Sequence, residues 1–208
     1  MILDLIESVP RPRDRAPLAV GCFCGPRTSE NFGLTWKSYA DDHLIVYDTA
    51  YEGALYEGKV KTDDSRARIP IPHRVRPYIE AWRKVCPNTS PDALMFPAQG
   101  HRKNKGLAVP FRAKNFFKWK VWPVSDKLGI PRNLCTFQVF RRTLGTDLQK
   151  HGTMKDAQAT CATSTSRRPP RCIWTTYQTA YAKPLTPGRR RYLGCAGRSV
   201  LGNLPGFS

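Results

Sequence analysis

The chain has no long hydrophobic run, and no apolar stretch approaches the roughly 20 residues that a membrane-spanning helix needs. The N-terminal segment Met1–Glu7 carries two acids and no basic cluster, so it does not resemble a secretory signal. The sequence therefore predicts a cytoplasmic protein without membrane association, in which the seven cysteines stay reduced.

The sequence also lacks cysteines and histidines at the spacing of a metal site. One residue separates Cys22 from Cys24, which is the wrong spacing for a zinc knuckle, and Cys86 and Cys135 have no paired Cys or His nearby. We interpret these four cysteines as small core residues and expect no metal site.

Acidic residues are absent from residues 161–208, whereas residues 1–160 contain all 16. The C-terminal segment also holds eight Lys and Arg, five Pro and five Gly, without an apolar repeat. Such a segment cannot bury enough apolar surface to offset the entropy of ordering. We therefore expect one domain over residues 1–160 and an irregular, poorly ordered basic tail over residues 161–208.

Basic residues outnumber acidic residues in the chain. The 34 Lys and Arg against 16 Asp and Glu give a formal net charge of +18, which favours a polyanionic partner. On charge alone, a basic protein without a specific ligand is the alternative. Because 40% of the residues are hydrophobic, composition excludes a wholly disordered chain.

The residue pattern predicts an α+β domain that is mainly helical with one small three-stranded antiparallel sheet. The predicted strands cover residues 43–47, 57–62 and 66–71, and the last two flank the turn-forming residues 63–65 as a hairpin. Pro26 is predicted in the first turn of a helix, where its missing N–H is harmless. The predicted helices cover residues 2–8, 16–24, 26–36, 73–85, 109–128 (with a bend at Pro123), 136–150 and 153–159.

Three cationic positions suit phosphate binding. Arg27 is predicted just inside a helix start, where backbone N–H groups also favour an anion. Lys61 lies near the predicted hairpin tip, and either Arg141 or Arg142 must lie beside the buried stripe of its helix. Each has an ordinary alternative: a surface arginine, an edge-strand lysine that prevents aggregation, or an arginine paired with a protein carboxylate.

Three segments together resemble the catalytic domain of tyrosine recombinases, the phage-integrase family. Residues 25–36 contain Gly-Pro-Arg-Thr-Ser-Glu followed by Gly-Leu and Trp, similar to the family's first arginine box. Lys61-Thr62 followed by Arg68-Ile69-Pro70 is similar to the family hairpin whose lysine reaches into DNA. Residues 138–141 stand where the family has His-x-x-Arg, and the resemblance covers nearly all of residues 1–160.

The resemblance implies DNA integration or site-specific recombination by a mobile element, in which double-stranded DNA is broken and rejoined through a 3′-phosphotyrosine link without metal or cofactor. Arg27 and Arg141 would bind the non-bridging phosphate oxygens, where charge grows in the transition state. Lys61 would protonate the leaving 5′-oxygen, with Lys59 as its substitute, and Glu30 would hold the site. The DNA-binding residues implied are Arg27, Lys59, Lys61, Arg66, Arg141 and Arg142.

Two features depart from the family pattern. Gln138 replaces the family histidine, and its amide can donate a hydrogen bond to phosphate but cannot shuttle a proton. Past Thr160 the chain has no histidine and no segment that matches the family's tyrosine context. No nucleophile is assigned to Tyr177, Tyr181 or Tyr192, because a tyrosine attacks only when it is held in line with the phosphate.

A change of reading frame at codon 160 is our hypothesis for this break. From Thr160 onward, triplets that start one base earlier permit Thr-Leu-Arg-His-Val-Asp-Val-Lys-Thr-Thr-Ala-Glu-Met-Tyr-Met-Asp, in which the first Thr is Thr160. That string contains the Leu-x-His, the Thr-Thr pair and the later tyrosine of the family pattern. The N-terminus also looks clipped, since family members carry a helical domain before the catalytic one.

The sequence therefore predicts a tyrosine-recombinase catalytic-domain fragment that is incomplete at both ends and inactive as written. The alternative is a non-catalytic basic DNA-binding protein that uses the same cationic face. Homo-oligomers on DNA are expected only if the C-terminal segment were intact.

Overall fold

The computed structural model describes residues 1–40, 42–58, 68–98 and 109–150, and this part of the chain is mixed α+β, which confirms the predicted class. A π-helical segment at Phe117–Val121 joins two of its helices, and 3₁₀ turns lie at Trp36–Ser38 and Arg132–Leu134. The helices are α1 (Ile2–Ser8), α2 (Pro12–Phe23), α3 (Thr28–Gly33), α4 (Arg76–Arg83), α5 (Ala113–Phe116), α6 (Trp122–Lys127) and α7 (Phe137–Gln149).

Four short strands form two antiparallel pairs in the described ranges. They are β1 (His43–Ile45), β2 (Thr49–Tyr51), β3 (Ala54–Tyr56) and β4 (Arg68–Pro70). β1 pairs with β4, with His43 opposite Pro70, and β2 pairs with β3, with Thr49 opposite Tyr56. The predicted three-stranded sheet is therefore corrected to two two-stranded sheets among the residues that the structure describes.

The β2–β3 hairpin was not predicted and precedes the hairpin predicted at 57–62 and 66–71, whose second strand contains β4. Its two-residue turn consists of Glu52 (φ 50°) and Gly53 (φ 85°), both in the left-handed region that matches the twist of a hairpin. Arg112 Nε donates to the Glu52 carbonyl at 3.0 Å and ties the turn to the chain before α5. Glu57 and Gly58 form a turn rather than a strand, and the rest of the predicted 57–62 strand lies outside the described residues.

The best-predicted helices are α1, found at its predicted bounds, and α7. Thr136 caps α7, because its hydroxyl oxygen accepts the Val139 N–H at 3.3 Å. The stripe predicted for α7 is buried and consists of Phe137, Phe140, Leu144 and Leu148. α2 begins at Pro12, four residues earlier than predicted, and the predicted helix 153–159 and the tail lie outside the described residues.

Aromatic packing around Phe32 forms the centre of the core. The Phe32 ring centroid lies 5.6 Å from Phe111, 5.3 Å from Phe116 and 5.6 Å from Phe137, so α3, α5 and α7 meet at one ring. The core assignment holds for three buried cysteines, Cys22, Cys24 and Cys135, while Cys86 is half-buried. Among the described residues, no helix combines the length and apolarity needed to cross a membrane.

Candidate functional site

The chain reverses direction between α2 and α3 through Gly25. The Cys24 N–H still bonds the Val20 carbonyl at 2.9 Å, which completes the last turn of α2. Gly25 then adopts a left-handed φ of 64°, a conformation that glycine tolerates and that commonly ends a helix. Pro26 follows and cannot continue the helix. The turn therefore delivers Arg27 to the start of α3 with extended backbone.

Arg27 is the residue that caps α3, which corrects the prediction that the helix starts at Pro26. The buried Glu30 carboxylate accepts both the Arg27 backbone N–H and the Arg27 Nη1, each at 2.7 Å. A carboxylate near a helix N-terminus is also favoured by the helix dipole. Glu30 therefore fixes the direction of the Arg27 guanidinium, although 52% of that side chain is exposed.

Arg141 contacts this turn although it lies far from it in the sequence. Its Nη1 donates to the Gly25 carbonyl at 2.5 Å across a separation of 116 residues. The Gly25 carbonyl lies two residues before Arg27, so the structure brings the segments that carry both predicted arginines together. Arg141 is half-buried and Arg142 is exposed, as the stripe of α7 requires of one of them.

Gln138 lies one turn before Arg141 on α7 and is exposed. Residues three apart on a helix are surface neighbours, with Cβ atoms about 5–6 Å apart. The Gln138 amide therefore shares a helix face with Arg141.

Lys59, Lys61 and Arg66 lie outside the described residues. Both flanks of that stretch are described. On the N-terminal side, the Gly58 N–H donates to Asp48 Oδ1 at 3.0 Å, and on the C-terminal side Arg68 pairs with Ile45 across β1 and β4.

Asp48 is a buried acid that the sequence analysis missed. It lies at the start of β2, and its backbone carbonyl would be 2.6 Å from a Cβ at Gly33 in α3. α3 therefore packs directly on the Asp48 backbone, while the Asp48 side chain anchors Gly58. The sequence carries no clear signal for this role of Asp48, because Glu52-Gly53 is not one of the residue pairs typical of a two-residue hairpin turn.

The arrangement at the end of α2 has the chemistry that suits an anion, and it is named here the anion site. It combines two guanidinium groups from α3 and α7, one of them half-exposed, with a single buried carboxylate that pairs with Arg27. Arginine presents a planar fork that matches the oxygens of a phosphate. Within the described ranges, no group of three or more His, Cys, Asp and Glu residues could hold a metal ion.

Comparison with known proteins adds no further assignment. No family model matches the chain, and no curated protein matches it.

Proposed function

We propose that this domain binds double-stranded DNA through the anion site at the end of α2 and is of the tyrosine-recombinase type. The observation that carries the proposal is the hydrogen bond from Arg141 to the Gly25 carbonyl. It holds the Arg141 guanidinium on the carbonyl two residues before Arg27, and Arg27 and Arg141 are the residues that the family resemblance implies for phosphate binding.

Arg27 and Arg141 hold the non-bridging oxygens of one phosphodiester in this proposal. Glu30 keeps the Arg27 Nη1 occupied at 2.7 Å, so the Nε and Nη2 edge, which has no hydrogen bond within the described residues, faces the phosphate. Preorganised donors of this kind stabilise the charge that develops on phosphate oxygens. Gln138 adds a neutral amide donor on the same face of α7 as Arg141.

Strand cleavage requires a nucleophile in addition, and residues 161–208 contain no tyrosine in the matching context. The chain as written therefore binds DNA without cutting it. The second candidate function is non-catalytic DNA binding. The two candidates differ only in whether the intact gene product has a nucleophile.

Salt-dependent binding tests the anion site on the chain as it stands. The affinity for a short random-sequence duplex should fall steeply with salt, because each phosphate contact contributes about −0.9 to the logarithmic slope. Arg27→Ala and Arg141→Ala should each weaken binding and lower the slope by about 1. Lys84→Ala is the control, since this exposed lysine lies at the end of α4 and the same charge is lost there. Equal slopes for all three variants would contradict the site.

The reading frame tests the recombinase assignment. If the coding DNA at codon 160 permits the Leu-x-His and tyrosine codons, a restored chain should form a covalent adduct with nicked DNA. Arg141→Ala should abolish the adduct while circular dichroism stays unchanged. A restored chain that binds DNA but never forms the adduct would favour the non-catalytic alternative, and third bases that forbid those codons would end the frame hypothesis.

A further inference from the structure

Trp119 is a large aromatic side chain that is exposed on the helical stretch from α5 to α6. It lies in the π-helical segment Phe117–Val121, and 64% of its surface is exposed. Phe117 and Val121, two residues to either side, are both buried, so Trp119 points away from the core. π-Helical segments are rare and often occur at functional sites.

One lysine lies against the indole, and a second precedes that lysine by one helical turn. Lys118 Nζ lies 4.8 Å from the Trp119 ring centroid, and Lys114 lies four residues before Lys118. Both lysines are exposed, and neither has an ion pair within the described residues. Like charges four residues apart destabilise a helix, so the stability of the fold does not account for this pair.

The stretch of sequence around Trp119 contains few acids. Asp126 is the single acid between residues 109 and 132, and Arg132 Nη2 already binds its carboxylate at 2.6 Å. The surface formed by Lys114, Lys118 and Trp119, named here the Trp119 surface, is therefore cationic and aromatic.

The segment that carries Trp119 contacts α2, the helix that ends at the turn before Arg27. Lys120, next to Trp119, places its Nζ 3.8 Å from Asp14 Oδ2 in the first turn of α2. From Asp14 to the end of α2 at Phe23 the helix axis rises about 14 Å, at 1.5 Å per residue. Consecutive phosphates of one DNA strand are spaced by about 3.4 Å along the duplex axis, so the length of α2 from Asp14 to Phe23 equals about four phosphate spacings.

We propose that the Trp119 surface is a second contact for the sugar–phosphate backbone of duplex DNA, distinct from the site around Arg27. The proposal rests on the proposed function in one respect, that DNA is the partner. The ammonium groups of Lys114 and Lys118 supply charge to two phosphates, and the amphipathic indole packs its ring on deoxyribose while its N–H can donate to a phosphate oxygen. This combination of point charges and one flat apolar ring is complementary to a sugar–phosphate chain.

Oxidative footprinting on the whole chain tests the contact. Limited oxidation with N-bromosuccinimide, followed by mass spectrometry, reports each tryptophan separately. A short random-sequence duplex should slow the oxidation of Trp119 severalfold. Trp36 and Trp82 are buried and provide the internal reference, since DNA should leave their slow oxidation unchanged.

Substitutions distinguish the contribution of the lysine charges from that of the Trp119 ring. Lys114→Ala with Lys118→Ala should lower the logarithmic salt slope of DNA binding by about 2, whereas Lys84→Ala should leave it unchanged. Trp119→Ala should weaken binding roughly fivefold or more without changing the slope, and Trp119→Phe should recover most of that loss because the flat ring is kept.

The outcomes distinguish this inference from the proposed function. DNA binding that leaves Trp119 oxidation and the salt slope of the lysine variants unchanged would overturn the Trp119 surface alone. Protection of Trp119 with normal binding by Arg27→Ala and Arg141→Ala would support the surface and overturn the site around Arg27. Absence of any DNA binding, or equal protection of Trp119 by polyglutamate, would overturn the inference.

Discussion

The ring of Phe137 lies directly against Gly21, where α7 packs on α2. A Cβ at position 21 would be 2.1 Å from Phe137 Cε1, so the two helices approach this closely only because residue 21 has no side chain. The contact sets the separation between α7 and the end of α2. It therefore determines whether Arg141, four residues along α7, can reach the Gly25 carbonyl.

Gly21→Ala should destabilise the domain. The added methyl group cannot fit against the Phe137 ring, and such overpacking typically costs about 1–3 kcal/mol. Gly145→Ala is the matched control, because Gly145 lies in α7 and a Cβ there meets nothing within 4 Å. The control should stabilise the helix by about 0.5–1 kcal/mol. Urea unfolding followed by circular dichroism measures both, and a stabilising Gly21→Ala would contradict the described packing.

Glu30→Ala should destabilise the domain and release Arg27. The substitution removes a buried carboxylate that accepts two hydrogen bonds at the start of α3, a loss of about 1–3 kcal/mol after allowance for solvent screening of the exposed arginine. Asp126→Ala is the control, since it breaks a carboxylate–arginine pair that is exposed. Urea unfolding should show the smaller effect for the control. Equal losses for both variants would contradict the buried role of Glu30.

Tyr39 should make the stability of the domain fall as the pH becomes alkaline. Its hydroxyl donates to Glu80 Oε1 at 2.7 Å, and burial, followed by that hydrogen bond, raises the pKa of Tyr39 from 10.0 to about 12. Because the pKa is higher in the folded state, the stabilisation is complete below about pH 10 and is lost as pH rises from about 10 to about 12.

Tyr39→Phe should therefore lower the free energy of unfolding at neutral pH and flatten its fall above about pH 10. Urea titrations at several alkaline pH values measure this. Burial also raises the pKa of Tyr78, which remains in the variant and leaves some alkaline dependence. The same slope with pH in the parent chain and Tyr39→Phe would rule out the contribution of Tyr39.

Cys86 should react first with iodoacetamide among the four cysteines of the described ranges. It is half-buried, whereas burial raises the pKa of the Cys22, Cys24 and Cys135 thiols and keeps the reactive thiolate scarce. Pulse alkylation followed by peptide mass spectrometry measures each site. Labelling of Cys24 as fast as that of Cys86 would mean that the end of α2 opens readily.

The local residue pattern was sufficient to predict some of the helices, but it did not predict how the strands pair. α7 was predictable because its apolar residues recur at helical spacing and Thr136 is a good cap. The start of α3 was misplaced by two residues because Pro26 suits a first turn, whereas the contact of Glu30 with the Arg27 N–H makes Arg27 the cap. The β2–β3 turn was missed because Glu52 occupies a left-handed position that favours glycine or asparagine.

The sequence was sufficient to select the residues of the candidate site, but it did not show how the fold brings their segments together. Arg27 and Arg141 stand in recognisable local motifs, yet their approach depends on Gly21 and Phe137, which carry no chemical signal of their own. The pairing of β1 with β4 depends in the same way on contacts between distant residues. Whether Lys59, Lys61 and Arg66 join the site stays a prediction.

The 116-residue separation between Gly25 and Arg141 also sets an order of events during protein synthesis. At about 5–20 residues per second, a ribosome needs roughly 6–23 s to add the second arginine after the glycine has been made. The nascent chain therefore carries Arg27 for many seconds before its partner emerges. Any affinity that requires both guanidinium groups appears only once α7 has left the exit tunnel, and until then a nucleic acid near the ribosome meets Arg27 without Arg141.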